Sequence, residues 1–274
     1  VERLTAHVRD GGASALFVLG SCGEGPTLEP GVASEITRAY VDAVAGSVPV
    51  LAGVGETSTE RALRAGQDFE QIGVDALVLM APMYFNADTD SAVIRHVTAL
   101  AERTSLPLVV YNIPHLTHHP ITPRALREIA AIDSVVALKE SSGEWDTYAA
   151  LADVAGAAGL RVFQGAEALI ARSLAAGAHG AVPGIANVVP GLAARLVQAG
   201  LDGDTTLAAA LQAQLDDVCA VYSSGFWLTS LKAALAELGI VGSTAGQALA
   251  PPDADGLNEV HRVLVAAGLV EVTA

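Results

Sequence analysis

Among the 274 residues of this chain only two are lysines, Lys139 and Lys232. Lys139 closes the apolar run Val135-Val136-Ala137-Leu138, where a charge is costly to bury unless something pairs it. A buried amine favours its neutral, nucleophilic form, the form that attacks a carbonyl carbon to make a Schiff base. The residues alone leave a second reading open, in which Lys139 pairs with Glu140 or Glu167 or reaches solvent along its stem. Tyr111 ends another apolar run, ahead of Asn112 and Pro114, where a phenol can pass a proton or simply bond to a neighbour. In Gly20-Ser21-Cys22-Gly23-Glu24 two small polar side chains stand between glycines, so successive N–H groups predict a cradle for a carboxylate or phosphate; a purely structural turn is the alternative. His115, His118 and His119 cluster before Pro120, and Glu24 or Glu140 could complete a metal set with them. No paired-helix or Cys-X-X-Cys spacing supports that set, and no metal is expected.

These residues share a position, at the C-terminal ends of short apolar runs. Seven such runs, 15–19, 48–52, 76–80, 108–111, 135–138, 161–163 and 180–182, alternate with helical patterns, the mark of a parallel sheet covered on both faces. Thr122-Pro123 and Val189-Pro190 open helices, with proline at the first helical position. An amphipathic helix is expected over 1–11, with Leu4 and Val8 on one face, and three more over 205–222, 226–238 and 253–267. The domain expectation is a barrel over 1–202 with a helical extension over 203–274. A closed barrel needs eight strands, and the leading helix suggests that the partner strand of that helix stands before Val1. An open doubly wound sheet is the alternative.

Composition narrows the class. Charged residues are 16% and hydrophobic residues 51%, which excludes a disordered chain, and the core must be aliphatic because aromatics are 4%. A net charge of -15 opposes nucleic acid and anionic membrane surfaces. The charge-free stretch 173–194 has the length of a membrane span, but Pro183, Pro190 and four glycines break it. Two cysteines, Cys22 and Cys219, suit a reducing cytoplasm.

Together, Gly-Ser-Cys-Gly-Glu after the first strand, Tyr111-Asn112-Ile113-Pro114 after the fourth and Leu138-Lys139-Glu140-Ser141 at the fifth resemble the dihydrodipicolinate synthase / N-acetylneuraminate lyase family. The resemblance covers almost the whole chain, including Gly165 and the tail Leu231-Lys232-Ala233-Ala234-Leu235. It implies a (β/α)8 TIM barrel with a C-terminal helical extension, usually tetrameric, that joins a lysine to a 2-keto acid such as pyruvate. By the same resemblance Lys139 is the Schiff-base lysine, Tyr111 the proton-shuttling phenol, and Ser21 the hydroxyl that relays protons to it. Tyr84 is the tyrosine that in synthases reaches a neighbouring subunit's site. Cys22 stands where Thr or Ser commonly bonds the substrate carboxylate, and Gly23, Gly165, Glu167, Val182 and Leu116 join it as substrate-binding positions.

Departures from the family pattern set the subfamily. Leu116 occupies the position of the synthase arginine that holds the carboxylate of aspartate semialdehyde, and no arginine lies between Arg103 and Arg124. Ala168 and Gly184 stand where lyases acting on sialic acid carry an acid and a serine, and Glu167 keeps the one matching acid. The resemblance therefore implies a class I aldolase or lyase without cofactor, cleaving or forming a 2-keto acid through pyruvate. Its nearest kin would be the 2-keto-3-deoxy-sugar-acid aldolases or the N-acetylneuraminate-type lyases. The synthase itself, a keto-acid dehydratase and a non-catalytic keto-acid sensor are the alternatives. The expected partners are pyruvate or another 2-keto acid, an aldehyde and further copies of the chain in a homotetramer, in the cytoplasm.

Overall fold

The computed structural model describes residues 1–85, 90–242, 246 and 248–271. All seven expected strands form: β1 (Leu16–Val18), β2 (Val50–Gly53), β3 (Ala76–Met80), β4 (Leu108–Asn112), β5 (Val135–Glu140), β6 (Arg161–Gln164) and β7 (Gly180–Ala181). They pair in parallel and in sequence order, each with the next, and β7 is not bonded to β1. The curled sheet is thus open at the position of an eighth strand. The leading helix, Glu2–Asp10, packs against both Pro30–Val44 and Pro190–Leu201. It therefore occupies the outer helical layer between the two unpaired edges.

Alternation along the strands builds two cores. Outward side chains such as Leu77, Leu108, Val110 and Leu138 join the large core beneath the helices. Inward ones, among them Val78, Met80, Val109, Tyr111 and Ala137, fill the barrel with Phe17 and Phe163 against them. Helix starts are capped as the residue types dictate: the Thr122 hydroxyl accepts from the Ala125 N–H at 3.1 Å, and the Asp253 carboxylate from the Gly256 N–H at 2.9 Å.

Three helices follow the barrel, Thr205–Cys219, Trp227–Glu237 and Ala254–Ala266. The first is shorter than expected. Its last turn tightens into a 3-10 segment, Ala220–Ser224, which sets Tyr222 against the barrel instead of continuing the helix. The stretch 173–194 is broken as its prolines and glycines require, into a helix end, strand β7, a 3-10 turn and a new helix. Among the described residues no helix is long and apolar enough to cross a membrane.

Candidate active site

Parallel register across β4, β5 and β6 arranges the strand ends in two rows. Tyr111, Lys139 and Phe163 are cross-strand partners in one row, and Asn112, Glu140 and Gln164 in the next. Successive residues of a strand face opposite sides, so the first row points into the barrel mouth and the second toward the helices.

In the inward row the Lys139 amine lies 4.1 Å from the centre of the Tyr111 ring and 4.7 Å from that of Phe17. The two rings meet edge to face, with centroids 5.9 Å apart. Lys139 is 7% exposed, and neither Glu140 nor Glu167 forms an ion pair with it. The pairing alternative is therefore removed. An amine held against ring faces keeps its nitrogen available for a carbonyl carbon, which an amine bonded to a carboxylate would not. Gly165 makes room for it: a Cβ there would stand 1.9 Å from Ser141 Oγ and 2.9 Å from Lys139 Cε.

The outward row is polar and wholly buried. Glu140 Oε1 accepts from Asn112 Nδ2 at 3.0 Å and from the Ser142 N–H at 2.8 Å, and Asn112 Oδ1 accepts from the Ile121 N–H at 2.9 Å. Gln164 accepts from the Ala166 N–H at 2.7 Å and donates to Ser173 at 2.8 Å. Each side chain thus ties down the loop that follows its own strand. A buried polar group without partners is expensive, so these bonds also hold the register that places Tyr111 beside Lys139.

The first loop differs from its expected form. The N–H groups of Gly23 and Gly25 return to the Gly20 carbonyl at 3.0 and 3.3 Å, and that of Glu24 to Ser21 at 3.2 Å. Two N–H groups of the expected anion cradle, those of Gly23 and Glu24, are therefore consumed inside the turn, whereas those of Ser21 and Cys22 are not among its bonds. Glu24 itself is tied to the C-terminal extension by an ion pair with Lys232 and a 2.8 Å bond from the Gly246 N–H. Ser21 is part-buried, and no direct hydrogen bond joins it to Tyr111. Burial pushes the Cys22 thiol up to about 11, against the opposing charge of Lys139, so it is a neutral donor at physiological pH.

On the far side of the mouth Glu167 Oε1 accepts three hydrogen bonds, from the N–H groups of Gly184 at 2.9 Å and Ile185 at 3.2 Å and from Tyr222 Oη at 3.0 Å. Tyr222 was not foreseen, because it comes from the extension and no motif marks it. Phe17 could have been found, since the β1 alternation puts it inward between Leu16 and Val18. Val182 follows β7, its N–H bonded to the Gln164 carbonyl at 2.8 Å. Leu116, on the short helix Pro114–Thr117, is 37% exposed. Tyr84 does not enter this chain's own site: it is 79% exposed, stacked edge to face on an equally exposed Phe85. The three histidines do not converge with Glu24 or Glu140. His119 Nε2 bonds the Phe85 carbonyl at 2.6 Å, and among the described residues no group of three His, Cys, Asp or Glu side chains could hold a metal.

Comparison with known proteins decides the family. The model of the dihydrodipicolinate synthetase family matches residues 1–267. The chain belongs to this family. A 4-hydroxy-tetrahydrodipicolinate synthase of Desulforudis audaxviator is 34% identical over 87% of the chain and 81% of its own length. The crystal structure of dihydrodipicolinate synthase from Thermotoga maritima superposes with a TM-score of 0.94 at 26% identity, over 98% of this chain and 92% of that one. A prophage protein of the same family from E. coli K12, solved in complex with pyruvate, gives 0.93 at 25% identity, over 98% and 92%. Family membership makes the chain a carbon–carbon lyase of the class I aldolase type on a TIM-barrel scaffold, acting on small molecules.

Proposed function

We propose that this chain joins pyruvate to, or releases it from, a neutral aldehyde through a Schiff base on Lys139, without metal or cofactor. The observation that carries the reading is the Lys139 amine held 4.1 Å from the centre of the Tyr111 ring with no carboxylate on it. The amine attacks the C2 carbonyl and water leaves, giving a protonated imine. Loss of a proton from C3 then yields an enamine, whose carbon attacks the aldehyde. Cleavage of a 2-keto acid is the reverse. Tyr111 is the nearest phenol to take and return these protons, with Ser21 supplying a second hydroxyl near the loop. Cys22 is assigned to the substrate carboxylate, with Gly23 forming the turn that presents it, and Gly165, Glu167, Val182 and Leu116 to the walls that receive the aldehyde half.

Leu116 supports a neutral aldehyde, because an apolar side chain there offers nothing to a carboxylate. The condensation with aspartate semialdehyde is the competing reading, favoured by the names of the synthase relatives. The exposed Tyr84–Phe85 pair supports a homotetramer in which Tyr84 meets a neighbouring copy. Two free cysteines fit a cytoplasmic enzyme. The test is reduction with borohydride in the presence of pyruvate, followed by mass mapping. A stable adduct on Lys139, lost together with turnover in Lys139→Ala, is expected. Full activity of that variant would overturn the reading, and an adduct without turnover of any aldehyde would favour the keto-acid sensor.

A further inference from the structure

The turn that follows β7 is crowded although Gly184, which opens it, has no side chain. A Cβ built on Gly184 would stand 3.0 Å from Cys22 Sγ, 3.0 Å from Tyr222 Oη and 3.4 Å from Glu167 Oε1. Three polar atoms from three distant segments therefore converge on one glycine. Tyr222 arrives from the helical extension, and its ring is braced edge to face by Trp227 at 6.4 Å between centroids. Its hydroxyl donates to the same Glu167 oxygen that already accepts two backbone N–H groups. All three bonds land on Oε1, so a substrate hydroxyl would find that oxygen engaged and would have to reach Oε2 instead. Burial, reinforced by the Glu167 charge, raises the Tyr222 phenol far above its ordinary range, which keeps it a donor at any working pH.

Resting on the Schiff-base reading above, we propose that Tyr222 is a specificity-determining residue whose hydroxyl fills the space beside Gly184 and engages Glu167 Oε1, restricting the aldehyde half to short neutral hydroxy-aldehydes. A chain of two or three carbons needs only the region near the enamine. A longer polyol would have to pass the point where Cys22, Tyr222 and Glu167 meet, and its hydroxyls would compete with bonds the protein already makes. Discrimination by occupied space and by satisfied hydrogen bonds is the kind that a single side chain can reverse.

The experiment measures kcat/KM for pyruvate condensation with glyceraldehyde and with a six-carbon sugar aldehyde, in the wild type, Tyr222→Phe and Tyr222→Ala. The wild type should prefer glyceraldehyde. Tyr222→Ala should shift the six-carbon to three-carbon ratio upward at least tenfold. Tyr222→Phe, which keeps the ring and its packing on Trp227, should shift it several-fold by clearing the hydroxyl from beside Gly184 and taking one of three donors off Glu167 Oε1. A residue with a merely structural role would lower both constants together and leave the ratio where it was. Ratios unchanged in Tyr222→Phe, or in both variants, overturn the proposal. Failure of the Schiff-base reading would show separately, as absence of the borohydride adduct on Lys139 in the wild type. Should the alanine variant not fold, the phenylalanine variant alone decides.

Discussion

One added methyl group at Gly165 should disable the site while leaving the fold standing. The Cβ of an alanine would lie 1.9 Å from Ser141 Oγ, 2.9 Å from Lys139 Cε and 3.1 Å from the Glu140 carbonyl oxygen. Carbon atoms pack at about 3.5–4.0 Å, so the Lys139 side chain would have to retreat by roughly 0.6–1 Å and the Ser141 hydroxyl would have to rotate away. Displacement of a reacting group by about 1 Å costs on the order of a hundredfold in rate, and overpacking costs about 1–3 kcal/mol of stability. Gly165→Ala is therefore expected to lower kcat/KM about a hundredfold, with a thermal midpoint lower by roughly 2–4 °C for each kcal/mol. Gly156→Ala is the control, since nothing lies within 4 Å of the added atom on that helix. It should stabilise by up to about 1 kcal/mol and leave turnover alone. A Gly165→Ala enzyme within twofold of wild-type kcat/KM would refute the claim that this glycine sets the position of the lysine.

Two further predictions concern the aldehyde and the core. Leu116→Arg should raise kcat/KM with aspartate semialdehyde relative to glyceraldehyde by up to about fivefold, because a charge pair at a position 37% exposed is worth up to about 1 kcal/mol; efficient wild-type condensation with aspartate semialdehyde would return the synthase reading to first place. Burial lowers His96 from 6.5 to about 4, so between those values the unfolded chain binds the proton that the folded chain refuses. Stability supplied by the neutral imidazole is complete above about pH 6.5 and falls as the pH drops toward 4, by at most about 3 kcal/mol. Urea unfolding at pH 7 and pH 4.5 checks it: His96→Gln should flatten that part of the profile, and an equally steep profile in the variant would place the loss elsewhere.

Much of the scaffold was legible because its signals are local. A fully buried strand such as β3 reads as an unbroken apolar run, and the expected 76–80 coincides with Ala76–Met80. Lys139 stood out for the same reason, as a charge ending a run that the core had to bury. The outward row was harder. Asn112, Glu140 and Gln164 each follow an inward residue by one position, so alternation places them toward the helices, where a polar side chain signals nothing until its partners are known. Glu140 looked like a partner for Lys139 because the two are adjacent in sequence. Adjacent strand residues face opposite ways, and that is why the carboxylate bonds Asn112 instead.

Contacts made by the extension were beyond this kind of reading. Tyr222 and Glu167 are 55 positions apart, and Lys232 and Glu24 are 208 apart. Helical periodicity places Lys232 on a face of Trp227–Glu237 but cannot name the loop that the face meets. The same limit changes the meaning of Gly184. In the sequence it is a position where a serine is missing, which implies a lost hydroxyl subsite. In three dimensions a serine Cβ would press on Cys22 and Tyr222 at 3.0 Å, so the glycine and the tyrosine go together. The hydroxyl beside Gly184 is supplied by the extension rather than by the residue that follows β7, and the proposed choice among aldehydes rests on that placement.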